Sequence, residues 1–182
     1  MILSRKALLQ AIQDNKILTS DFRDELINNQ SIDVRLGRWV YIQSDGIHPM
    51  KYWHDLDVAP LECHKNKFYL THTEEFIGTA PNSDILPSFK LRSSAGRHGI
   101  IHTLAGHGDV GFMNRWAMEF IAAKPITLER YMKIGQIYFT LATESGSYSE
   151  ETGNYQSTSD FELLQTNWDK LDLLPKPLNK VI

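Results

Sequence analysis

The hydrophobic and polar positions change period along the chain. Ala7, Leu8, Ala11 and Ile12 recur at helical spacing and make one apolar stripe, which predicts a helix over residues 4–15. Ser4 is placed to cap it and Asp14-Asn15 to end it. A weaker helical turn is expected around 21–27. From residue 32 the period becomes two. Ile32-Asp33-Val34-Arg35-Leu36 alternates and meets Gly37, and Trp39-Val40-Tyr41-Ile42 runs into a turn signal at Ser44-Asp45-Gly46. Phe68-Tyr69-Leu70, Glu75-Phe76-Ile77, 117–122, Ile126-Thr127-Leu128 and 134–141 read as further short strands, with Gly, Pro, Asn and Asp between them. Many short strands with turn chemistry predict a mainly β barrel or sandwich carrying one N-terminal helix.

The pattern loosens after residue 143. Residues 144–160 are rich in Ser, Thr, Glu and Gly, which reads as an exposed segment or mobile lid. Residues 161–182 carry Leu163, Leu164, Trp168, Leu171, Leu173 and Leu174, too apolar for free solution. They are expected to dock on the barrel or on a neighbouring subunit, with Pro175 and Pro177 stopping any helix there. The organisation expected is a folded domain over 1–143 and a lid with a docking tail over 144–182.

Composition narrows the function. A chain of 182 residues fits one domain with a core of its own. Its 19 Lys and Arg against 22 Asp and Glu leave a net charge of −3, which weighs against nonspecific nucleic-acid binding. Charge interrupts the apolar start at Arg5-Lys6, and no run approaches the roughly 18 apolar residues of a membrane helix. A soluble cytoplasmic protein, without membrane or nucleic-acid partners, is the expectation. The lone cysteine, Cys63, excludes an internal disulfide and the paired-cysteine zinc sites of the common base deaminases.

Candidate chemistry concentrates between residues 90 and 120. Arg92-Ser93-Ser94-Ala95-Gly96-Arg97 sets two guanidinium forks around small residues, a pattern suited to an anion or to an exposed turn. Glu119 sits inside the apolar stretch Trp116-Ala117-Met118-Glu119-Phe120-Ile121-Ala122 and would share a strand face with Ala117 and Ile121. That face is either the solvent side of an edge strand or the seat of a carboxylate with a raised pKa, fit for general acid and base work. Asp109, between Gly108 and Gly111, either caps its own turn or orients a water or a ribose hydroxyl. His98, His102 and His107, at spacings of four and five, sit in a Gly-rich stretch rather than on one helix face, which argues against a metal site.

Taken in order, these residues resemble the dCTP deaminase branch of the dUTPase superfamily. The family's Arg-Ser-Ser-x-(Gly/Ala)-Arg-x-Gly run is matched by 92–99, and its His-x-Thr-Ala-x-x-Ile-Asp-x-Gly-(Phe/Trp) turn by His102, Ala105, Asp109, Gly111 and Phe112. Its Leu-Glu-Phe strand end is matched by Met118-Glu119-Phe120, and Met132-Lys133-Ile134-Gly135-Gln136 looks like another of its motifs. Ile2-Leu3-Ser4 and Ser31-Ile32-Asp33-Val34-Arg35-Leu36-Gly37 are similar to its N-terminal signatures. The likeness runs from residue 2 to about 143, with a looser echo at 148–156.

The resemblance implies a distorted dUTPase-like β-barrel (a β-clip) assembled as a homotrimer with active sites between subunits. It implies zinc-free deamination of dCTP to dUTP and ammonia, with Glu119 as general acid and base and Ser93 and Arg97 positioning the glutamate and the water. The backbone carbonyl of Ala105 would accept from the exocyclic amine, and Asp109 would hold the deoxyribose 3′-hydroxyl. Arg92 and Ser94 would face a triphosphate that carries Mg²⁺, and Tyr148 and Gln156 would complete a phosphate clamp. Feedback by dTTP is a further possibility in such a protein.

The resemblance also separates deaminase from plain dUTPase, which has the turn aspartate but lacks a glutamate at the position of Glu119, and so it implies cytosine deamination. Ala105-Gly106 looks more like the bifunctional members, which also release pyrophosphate and form dUMP. A relative acting on a modified deoxycytidine nucleotide is another alternative, and a non-catalytic nucleotide-binding trimer a third. Four departures from the family pattern stand out: Leu104, Val110, Asn114-Arg115, and Asn154 where a lysine usually precedes the tyrosine. Loss of that lysine removes a charge-assisted contact of roughly 1.5–3 kcal/mol, for which Lys170, Lys176 or Lys180 would have to compensate.

Overall fold

Helix α1 (Arg5–Gln13) forms where the apolar stripe places it. The Ser4 hydroxyl accepts from the amide of Ala7, and Leu8 and Ala11 point into the core. The computed structural model describes residues 1–42, 52–103, 105–146, 148 and 155–176. The turn expected at Ser44-Asp45-Gly46 therefore lies outside the described residues, as do Leu104, Asn154, Pro177 and Lys180. The helical turn expected over 21–27 is a single 3₁₀ turn, Asp24–Leu26.

The described strands are β1 (Ile17–Thr19), β2 (Ile32–Ile42), β3 (Tyr52–Asp55), β4 (Leu61–Cys63), β5 (Phe68–Thr79), β6 (Ile85–Leu91), β7 (Ile100–His102), β8 (Met113–Ala122), β9 (Ile126–Leu128) and β10 (Lys133–Leu141). A short helix α2 (Ser93–Arg97) separates β6 from β7, so the Arg-Ser run is helical rather than an open turn. Two pairs of expected strands fuse. Residues 32–36 and 39–42 are halves of β2, and 68–70 and 75–77 are halves of β5. Each fused strand carries a shift of register where the alternation breaks. Buried charge sits beside the break: Glu75, only 2% exposed, is held by the Arg35 amide at 2.9 Å and its Nε at 2.6 Å, while Arg35 also reaches Asp21 at 2.5 Å. The unpredicted strands β1, β3, β4 and β7 are three or four residues long, too short to display a period. Strand β6 contains Pro87, which reads as a breaker but is tolerated on an edge.

The main sheet runs β6-β10-β2-β5-β8-β7, antiparallel throughout, with β1 on β5 and β3 on β2; β4 and β9 form a separate ribbon. The chain leaving β7 then returns to β6 at the opposite edge. The amide of Phe89 donates to the Gly106 carbonyl at 2.7 Å, that of Gly108 to the Pro87 carbonyl at 3.1 Å, and Ser88 bridges His107. The sheet is thereby nearly closed into a barrel around Val34, Leu36, Val40, Met118, Ile137 and Phe139. The approach is too close for side chains on the two flanking residues. A Cβ at Gly106 would lie 2.5 Å from the Phe89 carbonyl oxygen, and one at Gly108 would lie 2.5 Å from the Trp116 ring.

The C-terminal segment docks on its own barrel. Helix α3 (Phe161–Asn167) buries Leu164 against Phe76 and Met113, and a 3₁₀ turn, Lys170–Leu173, buries Leu173. The expectation of an exposed stretch over 144–160 needs correction at Gln156, which is buried because its amide supplies the hydrogen bonds of two backbone groups on the barrel.

Gly106→Ala forces a methyl against main chain on a strand that cannot move without opening the seam. It should cost about 1–3 kcal/mol of stability, read as a lowered midpoint in urea unfolding; an unchanged midpoint would show that the seam is slack.

Candidate active site

Strand β8 lies between β5 and β7, and its pattern of burial divides its two faces. Trp116, Met118 and Phe120 fill the core, while Ala117 and Glu119 turn to the other face. That face is not the solvent side of an edge strand. It is one wall of a cavity of about 490 Å³, a volume suited to a small ligand. Tyr41, Phe68, Leu70 and Phe112 make much of the lining apolar.

The Glu119 side chain is 26% exposed. Its Oε2 lies 3.5 Å from the Thr103 hydroxyl and 4.0 Å from Nε2 of the buried His102. Burial pushes the carboxyl above the usual carboxylate range, opposed by hydrogen bonds from its own backbone and from Thr103. Burial, with the charge of Lys90, also pushes His102 downward, so the imidazole is disposed to remain neutral beside the carboxylate. A carboxyl with a raised pKa can both take and return a proton nearer neutrality.

The seam between β7 and β6 delivers the other side chains. Ala105 and Asp109 line the same cavity, and the Asp109 side chain is 66% exposed at its rim. Gly111 turns the chain with φ +86°, and its amide donates to the Thr79 hydroxyl at 2.9 Å. Tyr148 also lines the cavity. Its amide donates to the Val110 carbonyl at 2.7 Å, its ring meets Phe112 edge-on at 5.3 Å, and its hydroxyl accepts from the amide of Tyr155.

Glu119, Ala105, Asp109 and Tyr148 thus come together. Arg92, Ser93, Ser94, Arg97 and Gln156 do not line this cavity. Arg92 pairs at 2.5 Å with the buried Asp33, which also takes an amide of Asn28, so part of its charge is already spent on the fold. Ser93, Ser94 and Arg97 stand exposed on α2. Gln156 is engaged by the fold: its amide oxygen accepts from Met113 N at 2.9 Å and its amide nitrogen donates to the Gly111 carbonyl at 3.3 Å.

The tail supplies a cavity wall that sequence reasoning did not identify. Trp168, Asp172, Leu173 and Pro175 line it. Two of the departing residues hold this wall in place. Asn114 donates to the Tyr155 carbonyl at 2.6 Å, and the Arg115 guanidinium lies over both Phe76 and Trp168, 4.7 and 4.9 Å from their ring centroids. Lys170 sits over Trp39 at 4.0 Å and Lys176 over Tyr155 at 5.3 Å. The signal available in the sequence was the pairing of an unusual Asn-Arg with an apolar tail.

Residues 2–142 match the model of the dCTP deaminase-like family, and the chain belongs to that family. It is 32% identical over 169 residues to a protein of Clostridium beijerinckii named dCTP deaminase, dUMP-forming, covering 89% of this chain and 94% of that one. A Thermobifida fusca protein of the same name is 32% identical over 156 residues, 75% and 76% of the two chains. The crystal structure of 2′-deoxycytidine 5′-triphosphate deaminase from Agrobacterium tumefaciens superposes with a TM-score of 0.63 at 20% identity. That match covers 78% of this chain and 48% of the other, and it establishes a shared fold. The names of the sequence relatives favour the dUMP-forming alternative over the leading expectation of a dUTP-producing enzyme.

His72, beneath Trp168, links this region to pH. Its Nδ1–H donates to the Thr73 carbonyl at 2.8 Å and its Nε2 accepts from the Trp39 amide at 3.1 Å, which fixes the neutral form. Burial, with the charges of Arg115 and Arg130, pushes its pKa down to about 3. Below its ordinary value the unfolded chain takes a proton that the folded chain refuses. Stability should therefore fall with pH by up to about 1.4 kcal/mol per unit, until the folded value is reached. Glu119 opposes this, because a raised carboxyl returns stability as pH falls through its pKa. In urea unfolding at stepped pH, His72→Gln should flatten the slope between about pH 6 and 5; an unaltered slope would exclude His72 as its source.

Proposed function

We propose that this chain deaminates dCTP and releases pyrophosphate, forming dUMP. The observation that carries the reading is the placement of a half-buried carboxyl, Glu119, and an exposed one, Asp109, in a single largely apolar cavity. The half-buried environment of Glu119, which raises its carboxyl pKa, suits it to proton shuttling. The names of the relatives support the second product step.

In this reading the cytosine lies against the apolar wall with C4 beside Glu119. The carboxylate takes one proton from water as the oxygen bonds to C4 and passes it to N3; it then takes the second proton from the new C4 hydroxyl and gives it to the amino group, which leaves as ammonia as the C4 carbonyl forms. The Ala105 carbonyl accepts from the exocyclic amine and so distinguishes an amine from a carbonyl at that position. Asp109 holds the 3′-hydroxyl and faces the water that attacks the α-phosphorus. Among the described residues no three His, Cys, Asp or Glu side chains converge as metal ligands. In this reading magnesium enters with the substrate, as the Mg²⁺–triphosphate complex.

One chain supplies only part of this set. Ser93 and Arg97 stand exposed on α2, outside the cavity that holds Glu119. This supports a homotrimer in which α2 of one copy completes the site of another, bringing Arg92, Ser93, Ser94 and Arg97 to the nucleotide.

Purified protein given dCTP and Mg²⁺ should yield dUMP, ammonia and pyrophosphate without accumulating dUTP. Accumulated dUTP would return the reading to a monofunctional deaminase. Glu119→Gln should lower ammonia release by at least about 10²-fold while the protein stays folded; full ammonia release would remove Glu119 from the mechanism. Glu119→Gln and Arg97→Ala proteins, each inactive alone, should recover about a quarter of the activity when unfolded and refolded together, as expected for sites shared around a symmetric ring. Absence of recovery would place the whole site in one chain.

A further inference from the structure

His107 is the one residue of the Gly106-His107-Gly108 triplet with a side chain, and the proposed chemistry has not used it. The three histidines of this stretch do not converge. His98 bonds the Ser94 carbonyl at 2.8 Å, His102 is buried against Phe89, and His107 is 71% exposed at the rim of the active cavity. The seam fixes its position. Hydrogen bonds on both sides of residue 107 tie the main chain to β6, and neither neighbouring glycine has room for a Cβ. An exposed imidazole is ordinarily mobile at its Cα as well as its ring, whereas here only the ring is left to turn.

The ring is turned toward Asp109. Nε2 lies 3.8 Å from Asp109 Oδ1. That is too long for a direct hydrogen bond and short enough for one water to sit at about 2.8 Å from both atoms. Other charged or titratable groups share its surroundings. Glu119 and Arg115 on β8, Asp172 on the tail, and the phenols of Tyr148 and Tyr155 line the same cavity. Lys90 and His102 line a smaller pocket on the other side of the loop. Asp109 is the group paired with it by distance.

We propose that His107 is the proton acceptor for pyrophosphate release and that it shares the attacking water with Asp109. This rests on the dUMP-forming reading. The water oxygen bonds to the α-phosphorus as the bond from that phosphorus to the α,β-bridging oxygen breaks. Pyrophosphate leaves with the bonding pair. The water's proton passes to Nε2, Asp109 stabilises the resulting imidazolium, and solvent then takes the proton from the exposed ring. The arrangement is a carboxylate–imidazole pair built on the seam loop, separate from the Glu119 shuttle that serves the base.

The test uses the full-length protein with two substrates, dCTP and dUTP, and reads ammonia and pyrophosphate separately. With dUTP, His107→Ala should lower kcat for pyrophosphate release about 10²-fold and abolish the rise of kcat with pH that an imidazole base imposes. Added free imidazole should restore part of the rate. His107→Gln keeps a polar side chain but accepts no proton, so it should lose as much. With dCTP, the ratio of pyrophosphate to ammonia should fall in both variants. Wild-type pyrophosphate rates in either variant, or an equal loss of ammonia and pyrophosphate without imidazole rescue, would overturn the assignment. If the wild-type protein releases ammonia from dCTP but pyrophosphate from neither nucleotide, the dUMP-forming reading itself fails, and His107 has no such step to serve.

Discussion

The return of the chain from β7 to the far edge of the sheet is the contact on which the rest depends. Three residues, Gly106 to Gly108, pair with Pro87, Ser88 and Phe89 and draw the two edges of an antiparallel sheet together. An edge left open would expose a row of main-chain donors and acceptors, and this seam covers part of it. The same three residues carry Ala105 and Asp109 on either side. Closure of the barrel and placement of the cavity's polar groups are therefore one event. The tight approach that excludes a Cβ at positions 106 and 108 also fixes where the Asp109 carboxylate and the His107 imidazole stand.

A second set of contacts builds the opposite wall. Arg115, lying over both Phe76 and Trp168, joins the β5 bulge to the tail, and Asn114 and Gln156 bind main chain across the same boundary. Such contacts combine aromatic burial with hydrogen bonds to main chain, which makes the docking directional rather than merely greasy. The tail then presents Trp168, Leu173 and Pro175 to the cavity. The same cavity holds Glu119, whose burial raises its carboxyl pKa.

The signatures near the N-terminus have a structural part in this architecture. Asp33 accepts from Arg92 and so anchors the start of α2, while Arg35 donates to the buried Glu75 at the bulge of β5. Neither acidic partner lines the active cavity. Buried ion pairs of this kind contribute little net energy relative to well-packed apolar residues, but removing one partner leaves a charge stranded in the core. They hold the frame on which the chemistry is mounted.

Much of this was legible in the residues themselves. The stripe at Ala7, Leu8, Ala11 and Ile12 located α1, period-two patterning located the long strands, and Glu119 was conspicuous as a carboxylate in an apolar run. These are local signals, carried by neighbours along the chain. The short strands, the fusion of β2 and of β5 through their bulges, and the helical state of 93–97 were not legible. Each is decided by partners far away in sequence. Gln156 shows the limit most clearly. Its place in a motif suggested a ligand contact, whereas its surroundings commit its amide to Gly111 and Met113. The sequence by itself determined which side chains carry chemistry, because charge, size and pKa range belong to the residue. Only the tertiary structure decided which of them share a cavity, which are consumed by the fold, and how far a carboxyl is shifted, because burial and distance are properties of the packed chain.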